Sequence, residues 1–349
     1  MADGQGSLIG FDWEEPMARI ESVEGLEAIV GKKAPSLDLK VVDHIDTASQ
    51  AWLYYSTVML ATLGGPKGPR MVAGGGAAGF AYGSGETLRI PDQNLDDPET
   101  IQSGAAFGSL WLVPGMKETL RINGTVSGIS SDAVTVHVLE CYLHCAKAFL
   151  RSNFWQAAPS PTVPSDPIAF ARRSSLMALG TIDTNGHADV SPKGDPPDRL
   201  IRFDGERLVF ADRPGNRRTD SFRNILLQPS VALQALIPGV CEVLSARGEA
   251  ILTDDMETRQ LFEVEGKVPK LAIEVLATEW SITPSPALQN AKLWPAPSPP
   301  EALKPAKIFA EHMRLSKQKS LSARMAKAAV TVPGLVRRSL ESDYEKNLY

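Results

Sequence analysis

The strongest constraint on what this 349-residue chain can fold into is an internal repeat. Leu112, Val113, Pro114 and Gly115, followed by Glu118 and Gly124, match Leu236, Ile237, Pro238 and Gly239, followed by Glu242 and Gly248, at a constant offset of 124 residues. Six matches at one offset point to duplication of a whole unit. With small gaps the match extends to residues 88–92 and 208–212, 60–63 and 179–182, Val138-Leu139 and Val275-Leu276, and Phe154-Trp155 and Leu293-Trp294. Residues 50–156 and 170–295 therefore read as two copies.

Each copy reads mainly as strands. In the second, β-rich runs at 179–182, 207–211, 231–237, 242–252 and 271–283 are separated by turn signals such as Thr184-Asn185-Gly186 and Asp204-Gly205. Successive antiparallel strands of this length predict a barrel or sandwich. A helix follows the Asp212 turn, with Thr219 or Asp220 as its cap and a run through Ser221, Arg223 and Leu227. The expected fold is mainly β, a β-barrel with flanking helices in each of two tandem units. The organisation reads as a helical lead over 1–50, a first unit over 51–156, a linker over 157–169, a second unit over 170–295, and a proline-rich tether with a basic helical tail over 296–349. In the tail, Phe309, Met313, Leu321 and Met325 mark an amphipathic helix.

Composition narrows the function classes. A 43% hydrophobic content supports a sizeable core, and the net charge of −5 argues against binding nucleic acid through bulk basic charge. No apolar run reaches the roughly 20 residues that span a bilayer. The acidic start of the chain lacks the apolar centre of a secretory signal, which predicts a cytoplasmic location. Three cysteines, Cys141, Cys145 and Cys241, fit neither a disulfide framework nor a metal centre. The charge is uneven: residues 301–349 carry ten Lys or Arg against five Asp or Glu. That tail reads as a solvated helix docked on an acidic body, or as a contact for an anionic partner.

Three polar clusters could carry chemistry. Residues 212–224 hold four arginines, a Gly turn and hydroxyls where a strand runs into a helix, the donor set that a phosphate dianion needs. Ahead of it, Ser191-Pro192-Lys193-Gly194 can aim a lysine at a ligand edge. In the first copy, His144-Cys145-Ala146-Lys147 leads into Arg151 and Trp155, and a helical turn would put Lys147, Arg151 and Trp155 on one face. His144 is the single candidate for an acid–base role, and no metal set accompanies it. The run 74–79, rich in glycine, lacks the strand-to-helix context of a dinucleotide fold and reads as a flexible loop.

These stretches, with 179–186 and 118–124, resemble signature segments of the pyridoxamine 5′-phosphate oxidase-like, split β-barrel FMN-binding proteins. The resemblance covers roughly residues 20–295. It implies a dimeric fold with FMN at the interface and contacts from both partners. Here the signatures are divided: the second copy keeps the lysine loop and arginine turn, and the first keeps the His-Cys-Ala-Lys segment. Where the first copy should carry arginines it has four acidic residues within 92–101. The chain is thus expected to be a fused pseudo-dimer with one complete flavin site and one lost site. The second copy would supply Lys193, Arg213, Asn216, Arg217, Ser221 and Arg223, and the first Thr119, Arg121, Lys147 and Trp155. The implied activity is an FMN-dependent oxidoreductase acting on a small organic substrate, with NAD(P)H as a candidate partner and a further homodimer as a candidate assembly. An F420-dependent reductase and a non-catalytic flavin or haem carrier are the alternatives.

Overall fold

The computed structural model describes residues 18–33, 35–65, 67–159, 162–215, 218–318, 325, 327–328 and 334–349. Each copy forms one seven-stranded antiparallel sheet. The first contains β1 (Val58–Gly65), β2 (Gly68–Gly75), β3 (Tyr82–Ser84), β4 (Thr87–Pro91), β5 (Ala106–Leu112), β6 (Thr119–Ile129) and β7 (Ala133–His144), in the order β2-β1-β5-β6-β7-β4-β3. The second contains β8 (Leu176–Ile182), β9 (Ala188–Gly194), β10 (Ile201–Phe203), β11 (Arg207–Ala211), β12 (Ser230–Leu236), β13 (Glu242–Thr253) and β14 (Ala272–Pro284), in the order β9-β8-β12-β13-β14-β11-β10. Strand for strand, the two orders are the same. This is the mainly β, duplicated architecture that the repeat predicts.

The matched glycines have matched causes. The β6–β7 ladder shifts register at Asn123/Gly124 and the β13–β14 ladder at Arg247/Gly248. At each bulge the partner backbone closes in, so that a Cβ on Gly124 would lie 2.0 Å from the His137 carbonyl oxygen and one on Gly248 1.9 Å from that of Leu276. Elsewhere the ladders correct the sequence alignment. Val58 and Leu176 are equivalent through their partners Leu112 and Leu236, which moves the match of β1 to β8 by one residue. Gly124 faces Val138 and Gly248 faces Ala277, which moves the Val138 match by two. Short runs of small and β-branched residues leave strand register underdetermined, and pairing decides it.

Three apolar clusters organise the body. Trp111, Leu120, Ile122 and Val136 fill the first unit, and Phe210, Leu233, Leu244 and Ile273 the second. The third joins them, with Leu60, Leu110, Leu176 and Leu236 from the facing strands and Phe149, Phe154, Trp155 and Trp294 beside them. The repeated aromatic segments lock there: the rings of Phe154 and Trp294 are 5.0 Å apart, and the Trp294 indole donates to the Phe154 carbonyl at 2.9 Å. Thr62 and Gly180, each fifth in its strand, meet across this surface; a Cβ on Gly180 would fall 2.4 Å from Thr62 Oγ1. A residue touching its own counterpart marks a local twofold axis.

Two short helices exchange between the units. Helix α3 (Lys147–Ser152) follows β7 and lies on β9 of the other unit, while α7 (Pro286–Ala291) follows β14 and lies on β2. Both contacts need glycine in the strand: a Cβ on Gly194 would be 2.1 Å from the Ala148 carbonyl oxygen, and one on Gly75 2.2 Å from that of Ala287. Gly74 and Gly75 are thus the buried end of β2 packed under a helix, and the flexible loop expected for that run is corrected here. Chain-capped helices α1 (Val23–Val30) and α2 (Thr47–Tyr55) precede the first sheet, with Ser22 and Asp46 as N-caps. Helices α4 (Pro167–Arg173), α5 (Asp220–Leu227) and α6 (Met256–Gln260) belong to the second unit. Among the described residues, α8 (Pro305–Leu315) and α9 (Leu335–Lys346) follow α7. Of the apolar tail positions, Phe309 and Met313 pack with Leu39, Met325 is exposed, and Leu321 lies outside the described residues. No helix among the described residues is long and apolar enough to cross a membrane.

Gly248→Ala is expected to cost about 2–4 kcal/mol, because the intruding methyl meets backbone that cannot withdraw without breaking the β13–β14 ladder. Urea unfolding of the variant against the parent measures it, and Gly128→Ala, whose Cβ meets nothing within 4 Å, serves as the control with little loss.

Candidate functional site

The exchange of helices creates two clefts related by the local twofold, and the sequence treats them oppositely. In the first cleft, under α7, the segment after β4 folds inward. Leu95 bridges Gly74, and Asn94 Nδ2 donates to the Gly75 carbonyl at 2.9 Å. Asp96 then accepts from Ser285 Oγ at 2.5 Å and from the Ala287 amide at 2.9 Å. Short 3₁₀ turns at Asp92–Asn94 and Pro98–Thr100 stand where the other unit has helix α5. Burial pushes the Asp96 carboxyl up, and those two hydrogen bonds oppose the rise. This cleft is filled by the chain's own carboxylate.

The second cleft, under α3, is open and encloses a cavity of about 680 Å³, a size that suits a small-molecule ligand. One wall comes from the second unit: Ser191 and Lys193 on β9, Asp212 and Arg213 after β11, Arg218, and Ser221 and Phe222 in the first turn of α5. The opposite wall comes from the first unit, with His144 at the end of β7, then Cys145, Lys147 and Arg151. Lys267 and Lys270 line the rim. Among the described lining residues, seven cationic side chains face three carboxylates, those of Asp195, Asp212 and Asp343. The cavity therefore favours an anion.

Its cations are held but not all satisfied. Arg213 Nε donates to Asp195 Oδ2 at 2.7 Å, while Nη2 of the same buried guanidinium has no hydrogen-bond partner. A buried donor left without an acceptor costs about 1–3 kcal/mol, so this atom is poised for an anion in the cavity. Lys193 Nζ lies 3.3 Å from Asp212 Oδ1 and 4.3 Å above the Phe222 ring. Ser191 and Ser221 share a hydrogen bond of 2.8 Å, and Ser221 Oγ donates to Asp189 Oδ2 at 2.9 Å. Arg151 donates from Nε to the Gly194 carbonyl at 2.9 Å, tying the two walls together.

His144 is held neutral. Burial drives its imidazole well below the ordinary histidine range, reinforced by the cations Arg121, Lys40, Arg218 and Lys193, and Nδ1 has no hydrogen-bond partner. Neighbouring Lys40, buried and donating to the Leu143 carbonyl at 2.7 Å, is lowered to about 8 by the same desolvation.

The residues expected from the sequence divide by position. Lys147, Lys193, Arg213 and Ser221 line the cavity together with His144. Thr119, Arg121, Trp155 and Arg223 do not. Thr119 is buried opposite His144 in the β6–β7 ladder, and Trp155 donates to the Met116 carbonyl from within the apolar joint. Arg223 points away to Glu27. Arg121 stands one layer deeper, fully buried, pairing with Asp189 at 2.5 Å, donating to the Tyr142 hydroxyl at 2.8 Å and bonding the Val190 carbonyl. Asn216 and Arg217 lie outside the described residues. Arg151, read from the sequence as sharing a face with Lys147, lines the cavity, whereas Asp195 and Arg218, which also line it, go unassigned in the sequence although they sit inside or beside its motifs. Asp343, Asn347 and Tyr349 also line the cavity, and nothing in their local sequence signals it.

No family model and no curated protein matches this sequence. Solved structures do match. An F420 reductase is 22% identical with a TM-score of 0.27, over 34% of this chain and 98% of its own. A putative pyridoxamine 5′-phosphate oxidase from Lactobacillus delbrueckii is 18% identical with a TM-score of 0.27, over 36% of this chain and 99% of its own. HutZ, the heme storage protein from Vibrio cholerae, is 12% identical with a TM-score of 0.24, over 35% of this chain and 95% of its own.

The neutral His144 has a stability consequence. Unfolded, it titrates near pH 6.5 and gains a proton that the fold refuses, so its contribution is complete above that pH and is lost as pH falls below it. Between pH 7.5 and 5.5 the parent should lose about 1 kcal/mol more than His144→Gln in urea unfolding.

Proposed function

We propose that the open cavity binds FMN and that the chain is a flavin-dependent oxidoreductase with one composite site per chain. The observation that carries this reading is the buried Arg213 guanidinium, with one nitrogen unpartnered, in a cavity whose cations outnumber its carboxylates. Arg213 and Lys193 would hold the phosphate by charge, and Ser221, whose hydroxyl is donated to Asp189, would fix the first turn of α5 beside it. Lys147 and His144 would face the ring from the other unit. FMN, when bound, supplies hydride exchange with a small organic substrate or a reduced nicotinamide. A neutral His144 cannot serve as a proton donor in its imidazolium form, so its part there is to hydrogen-bond and orient.

The filled cleft supports a single site. Asp96 already occupies the hydrogen bonds offered by Ser285 and α7, and its charge would repel a phosphate. The deazaflavin F420 has the same anionic, aromatic character and fits the same donors.

One observation favours a second reading, a non-catalytic haem carrier. The imidazole of His144 is neutral and lines the cavity, and neutral imidazole is the form that ligates haem iron. The absorbance spectrum of the ligand that copurifies separates a flavin or deazaflavin from a haem.

Arg213→Gln should weaken FMN binding by about 10- to 100-fold, the worth of a charge-assisted pair in a buried site. Asp96→Ala should leave it unchanged. Fluorescence titration with FMN checks both, and equal losses in the two variants would contradict a site confined to one cleft.

A further inference from the structure

The end of α9 and the residues after it enter the open cavity and use its cations. Asp343 Oδ2 lies 2.9 Å from Lys147 Nζ. Arg151 Nη1 donates to the Leu348 carbonyl at 2.9 Å, and Lys267 Nζ to that of Tyr349 at 3.3 Å. The Tyr349 ring lies over two guanidinium groups, 5.5 Å from that of Arg213 and 6.0 Å from that of Arg151. Tyr344 anchors the segment behind the wall, its hydroxyl accepting from the Ala146 amide at 3.3 Å and donating to Glu118 at 3.4 Å. These contacts are a carboxylate on a lysine and an aromatic face on arginines. They are what an anionic aromatic ligand would make.

The charge pattern of the tail makes this specific. Residues 301–349 are net basic, yet the group that enters the cationic cavity is one of their few carboxylates. A tail held only by its net charge would avoid this wall. We propose that the Asp343–Tyr349 segment is an internal ligand: it occupies a subsite built by Lys147, Arg151 and Arg213 that takes an anionic aromatic molecule, and that molecule binds by displacing it. Under the function proposed above the molecule is either the flavin or a second, aromatic carboxylate substrate, and the subsite is the same for both.

The segment is held by one ion pair that is partly exposed on the Asp343 side, by two cation–π contacts and by the hydrogen bonds of Arg151, Lys267 and Tyr344, and removing it should tighten the competing ligand about tenfold. The experiment compares the full chain, a deletion of residues 343–349 and the point variant Tyr349→Ala. The point variant decides if the deletion fails to fold. FMN titrated into each should bind the deletion about tenfold tighter and Tyr349→Ala by an intermediate factor, and a fluorescent peptide of residues 343–349 should bind the deletion and be released by FMN. If FMN leaves the peptide bound while 4-hydroxyphenylacetate releases it, the subsite belongs to the substrate. Unchanged or weaker FMN binding on deletion, together with a peptide released by neither compound, overturns the inference. Should FMN bind no form of the chain, the flavin reading fails by itself, and the peptide alone decides: binding to the deletion upholds the internal ligand, and no binding overturns it.

Discussion

Arg121 and Asp189 form a buried ion pair across the joint between the two halves, and the open cavity depends on it. Arg121 belongs to β6 of the first unit and Asp189 to β9 of the second, the strand that also presents Ser191 and Lys193. Burial works against the Arg121 charge, but Asp189 and Tyr142 outweigh it, and its affinity for the proton is raised. Asp189 also accepts from Ser221, so a single carboxylate fixes strand β9 and the first turn of α5 at once. Removing one member of such a pair leaves an uncompensated charge worth about 3–5 kcal/mol, which is why the joint tolerates ions at all only as a pair.

Around this pair the two halves are built alike and used differently. Both carry a short helix over a glycine of the other half, and both keep the bulge glycine that lets a neighbouring carbonyl approach. In one cleft the chain supplies the anion itself, through Asp96. In the other it gathers lysines and arginines, sets Asp343 of the tail against Lys147, and leaves Arg213 Nη2 without a hydrogen-bond partner. Duplication within one chain allows this: the clefts of a true homodimer would have to be the same, whereas two fused copies can diverge. The symmetry thus survives where packing requires it and is lost where ligand chemistry differs.

Much of the fold was legible in the sequence because its signals were local. The paired Leu-x-Pro-Gly turns, the matched glycines and the β-rich runs between turn signals each state their own geometry. Register was less so. Runs such as Leu60 to Leu63 offer several apolar matches, and only the ladder with β5 sets the right one. In the site, the arginine turn and the Lys147 segment could be read because each is a compact motif. Arg121 could not be placed, since whether an arginine lines a cavity or props its wall depends on Asp189, 68 residues away. Tyr349 was invisible for the same reason, its contacts being with Arg151 and Arg213 in two other elements.

The number of flavins bound per chain bears most directly on a single composite site. Titration of FMN into a known concentration of the full chain, followed to saturation by calorimetry, is expected to end at one equivalent. Two equivalents, or none, would contradict one open cleft shared by both halves and one filled by its own carboxylate.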